Sequence, residues 1–136
     1  MPEYKKPLPH PTVPSRPFWD AAKRHELQIQ CCGSCGAHIF YPREVCAECL
    51  SSELRWIQAS GKGTLYSYTV ALAPTHPAFA DDVPYIVAIV ELEEGPRITT
   101  NIVGCEPEAV EIGMPVEATY DDVTHDMTLV KFRLAE

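Results

Sequence analysis

Two C-x2-C pairs, ten residues apart, constrain the fold of this 136-residue chain more than any other feature. They are Cys32-Gly33-Ser34-Cys35 and Cys46-Ala47-Glu48-Cys49. Each pair places two thiols on one tight turn, and two such turns can surround a Zn2+ ion tetrahedrally. Four thiolates leave no coordination position open for water or substrate. The spacing therefore predicts a structural zinc ribbon.

Two other uses of these cysteines fit the sequence less well. Disulfide bonds belong mainly to oxidising compartments, and the absence of an apolar signal segment leads us to expect a reducing one. A redox C-x-x-C motif would be expected at the start of a helix that follows a buried strand. Such a motif would also leave the second cysteine pair unexplained. Cys31 leaves one alternative open, because it can replace Cys32 in a C-x3-C pair. The tight-turn spacing favours Cys32.

The charge balance limits the ligands that we expect. The formal net charge is -8 at pH 7. Affinity for nucleic acid depends largely on contacts of Lys and Arg with phosphates, so no nucleic-acid partner is expected. No apolar run approaches the roughly 20 residues that span a bilayer. The sequence therefore predicts a cytoplasmic protein without a membrane segment.

The N-terminal segment combines an extended arm with a short helix. Six prolines in Met1–Pro17 deny a helix its backbone amides, which predicts the arm. From Ser15 the pattern predicts a helix that ends near Gln28. The apolar side of this helix comprises Phe18, Trp19, Ala22 and Leu27. Phe18 and Trp19 either pack on the protein's own ribbon or lie on another protein, because large aromatic residues are typical interface anchors.

Short strands flank the cysteine pairs. They are Leu27–Gln30, Ala37–Tyr41 and Glu53–Ala59. The run Ser60-Gly61-Lys62-Gly63 then interrupts the pattern and marks a domain boundary. This divides the chain into an arm with a short helix (residues 1–28), a zinc ribbon (29–60) and a second domain (61–136).

The second domain contains five short apolar strands. They are Thr64–Leu72, Tyr85–Leu92, Arg97–Val103, Val116–Tyr120 and Leu129–Leu134, with a helical turn expected in Glu106–Glu111. This number and order are typical of a small OB-type barrel. The second strand is almost continuously apolar, as in a strand buried on both faces. Asp121-Asp122 are expected to form an acidic turn between the last two strands.

No catalytic constellation is evident. The five histidines lack metal-type spacing on any single element, and Cys105 has no histidine nearby in sequence. The adjacent carboxylates at Asp81-Asp82 and Asp121-Asp122 are more often solvated than catalytic. The chain carries no phosphate loop, nucleophile elbow or dinucleotide fingerprint. We therefore expect no catalytic residue and no enzymatic activity of the chain by itself.

Several motifs carry a family resemblance when their order is considered. They are Phe18-Trp19, the two C-x2-C pairs, Gly61–Val70, Pro84–Arg97 and Ile112–Val116. In this order they resemble a family of small acyl-CoA-associated proteins that join a rubredoxin-like zinc ribbon to an OB-fold. The resemblance extends over almost the whole chain. It implies a mainly β fold with an N-terminal helix, the ribbon and a five-stranded OB-fold barrel.

The resemblance also implies partners and sites. Members of this family are usually non-catalytic partners of thiolase-superfamily enzymes that act on CoA thioesters. The match assigns structural zinc to the four paired cysteines, Cys32, Cys35, Cys46 and Cys49, and a partner interface to Phe18 and Trp19.

The OB-fold of such proteins can hold CoA or shape a channel to the partner's active site. In this sequence that role would fall on the linker with Lys62 and Gly63 and on the loop with Phe79. Lys62 would meet a CoA phosphate, and Phe79 an apolar acyl or adenine surface.

The resulting prediction is an accessory subunit in a hetero-oligomer with a thiolase-like enzyme, which supports assembly and the binding or channelling of acyl-CoA. One alternative is a nucleic-acid-binding module, in which Tyr66, Tyr68 and Phe132 would stack on bases. The acidic charge argues against it. A stand-alone hydrolase or transferase is a weaker alternative.

Overall fold

Strands dominate the structure, a computed structural model that describes residues 6–74 and 76–135. Within these residues the chain forms one α-helix, eight β-strands and two 3-10 helices. They are α1 (Arg16–Lys23), β1 (Gln28–Cys32), β2 (His38–Ile39), β3 (Leu54–Gln58), β4 (Lys62–Ala71), β5 (Tyr85–Leu92), β6 (Arg97–Ile102), β7 (Pro115–Asp122) and β8 (Thr128–Leu134), with 3-10 turns at Pro77–Phe79 and Pro107–Ala109. The predicted mainly β fold with an N-terminal helix is confirmed. No helix of the described chain has the length and apolar character needed to cross a membrane.

Part of the predicted arm, residues 1–5, lies outside the described residues. Residues 7–12 have no regular secondary structure, as predicted. The helical turn predicted in Glu106–Glu111 is present as the 3-10 turn Pro107–Ala109. The 3-10 turn Pro77–Phe79 was not predicted; the imidazole of His76 caps it by accepting a hydrogen bond from the Ala78 N–H at 3.0 Å.

Helix α1 is shorter than predicted, because it ends at Lys23 rather than near Gln28. His25 adopts a left-handed conformation with φ 61°, through which a right-handed helix cannot continue. The chain therefore turns back into β1. Leu27, predicted on the helix face, lies beyond this turn and is only 1% exposed. Its carbonyl accepts a hydrogen bond from the Ala59 N–H at 2.8 Å.

The ribbon is an antiparallel sheet in the order β2-β1-β3. Strand β2 has two residues and is shorter than the predicted Ala37–Tyr41. After β2 the chain is held by the side chain of Gln30, which is 4% exposed. Its side-chain amide donates to the Arg43 carbonyl at 2.8 Å and accepts from the Arg43 N–H at 2.7 Å. The chain is thus fixed to β1 through a side chain just beyond the predicted strand, and not through continued backbone pairing.

Strands β4, β5, β6, β8 and β7 close into a barrel in that order, which confirms the predicted OB-type barrel. Strand β4 closes the barrel against β7, with Gly63 opposite Val116. Strands β6 and β8 meet in parallel at Ile102 and Phe132. Strand β4 begins at Lys62, so part of the run predicted as an interruption belongs to the barrel.

Two predictions about the barrel strands are wrong. Strand β5 alternates between buried and more exposed residues, and Ile89 is 36% exposed, because a barrel wall has one inner and one outer face. Asp121-Asp122 form no turn; they end β7, opposite Leu129 and Thr128. Asp121 accepts a hydrogen bond from the Lys131 ammonium at 2.7 Å, and Asp122 contacts His25. These partners stabilise the two carboxylates on a strand, where no turn is needed to expose them to water.

The main hydrophobic core joins the N-terminal elements to the barrel. Phe18 of α1, Leu27 before β1 and Ile29 of β1 pack in the same cluster as the barrel residues. The barrel contributes Leu65, Ile86, Ala88, Val90, Leu92, Ile98, Ile102, Val110, Val116 and Phe132. A smaller cluster around Cys32, Ile39 and Cys46 lies within the ribbon. Because the main core is shared, the helix and ribbon depend on the barrel for stability, and the barrel depends on the helix and ribbon.

Candidate functional site

The four paired cysteines come together in the ribbon. Their Sγ atoms all lie within 4.8 Å of one another. The Sγ atoms of Cys32 and Cys49 are 3.6 Å apart, and those of Cys35 and Cys46 are 3.7 Å apart. Tetrahedral zinc with Zn–S bonds of about 2.3 Å requires sulfurs about 3.8 Å apart. The thiols therefore have the spacing that a single Zn2+ ion needs.

Backbone amides point at these sulfurs. The N–H groups of Ser34 and Cys35 donate to the Sγ of Cys32 at 3.4 and 3.5 Å, and the N–H of Glu48 donates to the Sγ of Cys46 at 3.3 Å. The Cys35 amide contributes most to lowering the pKa of Cys32 to about 6. Such amides favour the thiolate, which is the form that binds metal.

The neighbouring thiols have the opposite effect on Cys35. Its pKa is raised to about 12: the backbone amide of Ala37 acts to lower it, but burial and the adjacent thiols outweigh that amide. Four crowded sulfurs cannot all ionise without a cation between them. Binding of Zn2+ at this site therefore has to release protons.

Cys31 stays outside the cluster. Successive side chains of a strand point to opposite faces, so Cys31 and Cys32 of β1 diverge. The Sγ of Cys31 contacts the Gly36 carbonyl at 3.9 Å and the guanidinium of Arg55 at 4.0 Å. The alternative that Cys31 replaces Cys32 thus has no support in the geometry. None of the six cysteines, all of which lie in the described residues, forms a disulfide.

The two aromatic residues predicted at a partner interface differ in their exposure to solvent. Phe18 is 6% exposed and lies in the chain's own core, where its ring packs edge-on against Trp19 with a centroid distance of 4.9 Å. Trp19 is only partly buried. It lines an apolar cleft of about 470 Å³ between α1, residues 40–42 and strands β6 and β8. Phe18 lines the same cleft but offers little surface, so of these two residues Trp19 is the one available to a partner, and the interface stays a prediction.

The residues predicted to bind CoA do not lie in one place. Lys62 and Gly63 line one cleft, which they share with Glu91, Glu93 and Glu117. Two of these carboxylates are ion-paired, Glu91 with Arg97 and Glu117 with Arg133, so the cleft has no concentrated positive charge around Lys62 that would attract a phosphate. A Cβ on Gly63 would lie 2.6 Å from the Glu91 carbonyl oxygen, so this glycine is needed for close strand packing.

Phe79 lies in a different cleft, of about 350 Å³, which Lys6 and Cys105 also line. The ring of Phe79 has the Lys6 ammonium 5.7 Å from its centroid and the Tyr85 ring 6.1 Å away. Burial, with a smaller contribution from Glu106, raises the pKa of the Cys105 thiol. A raised pKa fits the prediction that Cys105 is a plain thiol and not a nucleophile.

Two family models match consecutive parts of the chain. Residues 19–55 match the ChsH2 rubredoxin-like zinc ribbon domain, and residues 56–121 match the ChsH2 C-terminal OB-fold domain. A DUF35 domain-containing scaffold protein of Methanothermobacter thermautotrophicus is 43% identical over 105 residues, which cover 76% of this chain and 78% of that protein. The chain belongs to the DUF35 family. The family's zinc ribbon and the observed cysteine cluster together confirm the prediction of structural zinc in this DUF35 chain.

Two further similarities concern enzyme subunits. One chain of a solved structure described as "Ltp2-ChsH2(DUF35) aldolase" matches with a TM-score of 0.85 and 40% identity, over 95% of this DUF35 chain and 100% of that chain. A probable enoyl-CoA hydratase alpha subunit of Thermomonospora curvata is 44% identical over 119 residues, which cover 87% of this chain. The same match covers 37% of the hydratase subunit, so this chain spans little more than a third of that relative's length.

Sequence reasoning missed a contact that fastens the N-terminal half of this DUF35 chain to its barrel. The Nε2 atom of His25 lies 3.0 and 3.1 Å from the two carboxylate oxygens of Asp122. The His25 ring stacks on Tyr120 with centroids 5.1 Å apart. The Thr128 hydroxyl donates to the same carboxylate. His25 and Asp122 are 97 positions apart, and no local pattern in the sequence connects them.

The contact between His25 and Asp122 predicts how the stability of the fold depends on pH. The Thr128 hydroxyl and, after it, the His25 ring lower the pKa of Asp122 below its ordinary value of 3.8. A carboxyl group whose pKa is lower in the folded state stabilises the fold above its unfolded pKa and loses this effect as pH falls through the folded pKa. The Asp122→Asn variant should therefore melt below the wild type at neutral pH, and the difference should shrink as pH falls through the ordinary carboxyl range towards the folded pKa of Asp122.

Thermal midpoints measured between pH 7 and pH 4 check this prediction, with the zinc content of each sample measured alongside, because acid also releases the metal. Asp126→Asn is the matched control, because the partner of Asp126 is its exposed chain neighbour His125. The control should follow the wild type at every pH. A deficit of Asp122→Asn that is equally large at pH 7 and pH 4, in samples that keep their zinc, would show that the charge of Asp122 has no role.

Proposed function

We propose that this chain is a non-catalytic accessory subunit of an enzyme that acts on CoA thioesters. The observation that carries the proposal is the match to the Ltp2-ChsH2(DUF35) aldolase chain, which extends over 95% of this sequence with a TM-score of 0.85. The scaffold relative and the hydratase alpha subunit support the same class of role. The partner would be an aldolase, a hydratase or, as the motif order first suggested, a thiolase-superfamily enzyme.

The site chemistry supports a role without catalysis. We assign one Zn2+ to Cys32, Cys35, Cys46 and Cys49. Such a shell is closed to substrate, so the metal would stabilise structure rather than activate water. Outside this cluster, none of the hydrogen bonds among the described residues joins a thiol to a histidine, which is the arrangement that activates a cysteine nucleophile.

The ribbon would hold α1 and residues 40–42 in place as the walls of a docking surface. Trp19 lies on that surface beside an apolar cleft, and a partly exposed tryptophan is the type of residue that dominates binding energy at interfaces. Contact with CoA through Lys62, Gly63 or Phe79 remains a finer prediction. Lys62 and Gly63 line one cleft and Phe79 lines another, so they would have to touch different parts of a bound CoA molecule.

Co-expression tests the proposal. The full chain is produced with Ltp2 aldolase, an enoyl-CoA hydratase or a thiolase, and each mixture is separated by size-exclusion chromatography. We expect one of these enzymes to co-elute with the wild type and to bind Trp19→Ala at least about tenfold more weakly. Leu72→Ala is the control, because Leu72 is 80% exposed and outside the cleft. A chain that elutes alone beside every enzyme contradicts the proposal.

A further inference from the structure

The two cysteine turns of the ribbon share one backbone geometry but differ in one residue. After Cys35, Gly36 adopts φ 78° and its N–H donates to the Cys32 carbonyl at 2.9 Å. After Cys49, Leu50 adopts φ 65° and its N–H donates to the Cys46 carbonyl at 2.9 Å. A left-handed conformation is easy for glycine and unfavourable for leucine. The first turn therefore has the residue that its geometry favours, and the second does not.

Packing within the chain does not account for this leucine. The side chain of Leu50 is 75% exposed, and Leu50 belongs to neither hydrophobic cluster of the described residues. The other left-handed residue that is not glycine in the described part of the chain, His25, has its ring bound to Asp122 and Tyr120. Strain of this kind persists where the surrounding structure fixes the backbone, and strained residues cluster at ligand clamps and other functional positions.

The surroundings of Leu50 define what would bind it. Val45, on the same loop, is 45% exposed and adds apolar surface. Glu44 and Glu48 flank this surface and are exposed. The four thiolates outweigh the charge of a divalent zinc ion, so the metal centre beneath is also anionic. Arg43, just before the tip, is the one exposed cation beside it among the described residues 41–51. The tip formed by residues 44–50 thus presents an apolar side chain with two acidic residues around it.

We propose that Leu50 is an anchor that enters an apolar socket with a basic rim on the enzyme subunit. This inference rests on the proposed function and names the contact and the chemistry of its partner. A second copy of this chain is the wrong occupant, because two acidic tips would face each other and each chain carries a net charge of -8. Backbone hydrogen bonds from Leu50 to the Cys46 carbonyl and from Cys46 to the Ser51 carbonyl close the turn, which lowers the cost of ordering it when the leucine is buried.

The Leu50→Gly variant separates binding from folding. It gives the second turn the residue found in the first, so zinc content and the thermal midpoint should be equal to or higher than those of the wild type. The probe is whichever of Ltp2 aldolase, the enoyl-CoA hydratase or the thiolase co-elutes with the wild-type chain. We expect Leu50→Gly to weaken its Kd about tenfold or more, whereas Leu72→Gly, at another exposed leucine, leaves it unchanged.

Charge reversal tests the rim. Glu48→Lys should slow association with the same enzyme at low salt, and the difference should shrink as salt rises. Wild-type affinity of Leu50→Gly overturns the anchor but leaves the accessory role intact if Trp19→Ala still weakens binding. A wild-type chain that binds none of the three enzymes overturns both proposals. Self-association that Leu50→Gly abolishes would also overturn the inference, because it would make a second copy the occupant.

Discussion

Replacing Cys46 by serine is expected to remove the zinc and disorder the ribbon. Cys46 is fully buried and its Sγ lies within the four-thiol cluster. Structural zinc contributes on the order of 10 kcal/mol of apparent binding free energy in zinc-finger peptides at pH 7, so the ribbon should not survive its loss. The barrel strands should remain paired. The barrel should nevertheless unfold at a lower thermal midpoint, because the main core includes Leu27 and Ile29 from the ribbon side.

Zinc content per chain and amide NMR spectra measure this outcome. Cys105→Ser and Cys31→Ser are matched controls, because both thiols lie outside the cluster. Each control should retain about one zinc ion per chain and the wild-type spectrum of the ribbon. A Cys46→Ser variant that keeps its zinc and the ribbon signals would show that the four-cysteine site is assigned wrongly. Loss of zinc in Cys31→Ser would support the alternative in which Cys31 binds zinc in place of Cys32.

Phe18→Ala is expected to lower the free energy of unfolding by about 3–5 kcal/mol, the usual cost of removing a buried aromatic ring. The Phe18 ring contacts Trp19 and also Phe40, whose ring centroid is 5.5 Å away. Its loss would open a cavity where α1 meets the rest of the molecule. Weaker binding of a partner by this variant would therefore reflect damage to the fold.

Denaturant unfolding of the zinc-loaded protein checks the value, and Trp19→Ala serves as the comparison. Because Trp19 is partly exposed, its truncation should cost less stability than that of Phe18 while affecting a partner more directly. An equal stability cost for the two variants, or a Phe18→Ala variant as stable as the wild type, would contradict the packing described for α1.

Local patterns in the sequence predicted much of this fold. The paired C-x2-C spacing fixes four thiols on two tight turns, and the structure brings those four sulfurs together. Apolar segments separated by turn residues located the barrel strands, because each strand has to bury one face. The motif order also identified the family that the comparisons establish.

Long-range contacts account for what the sequence did not reveal. Helix α1 was extended to Gln28 because Leu27 fits its apolar face, but the left-handed turn at His25 brings Leu27 into the barrel's core. Asp121 and Asp122 look like turn residues until Lys131 and His25 are known to bind them. The separation of Lys62 from Phe79 likewise depends on barrel closure, which no local pattern encodes.

We propose that this chain serves an acyl-CoA enzyme without performing the chemistry itself. The most direct measurement is acyl-CoA turnover by the zinc-loaded chain alone, by the partner enzyme alone and by the co-eluting complex, with the mass of each species determined on the same fractions. We expect a defined hetero-oligomer whose activity exceeds that of the partner alone, and no turnover by this chain alone. Turnover by the isolated chain, or a chain that stays unbound beside the aldolase, the hydratase and the thiolase, would contradict it.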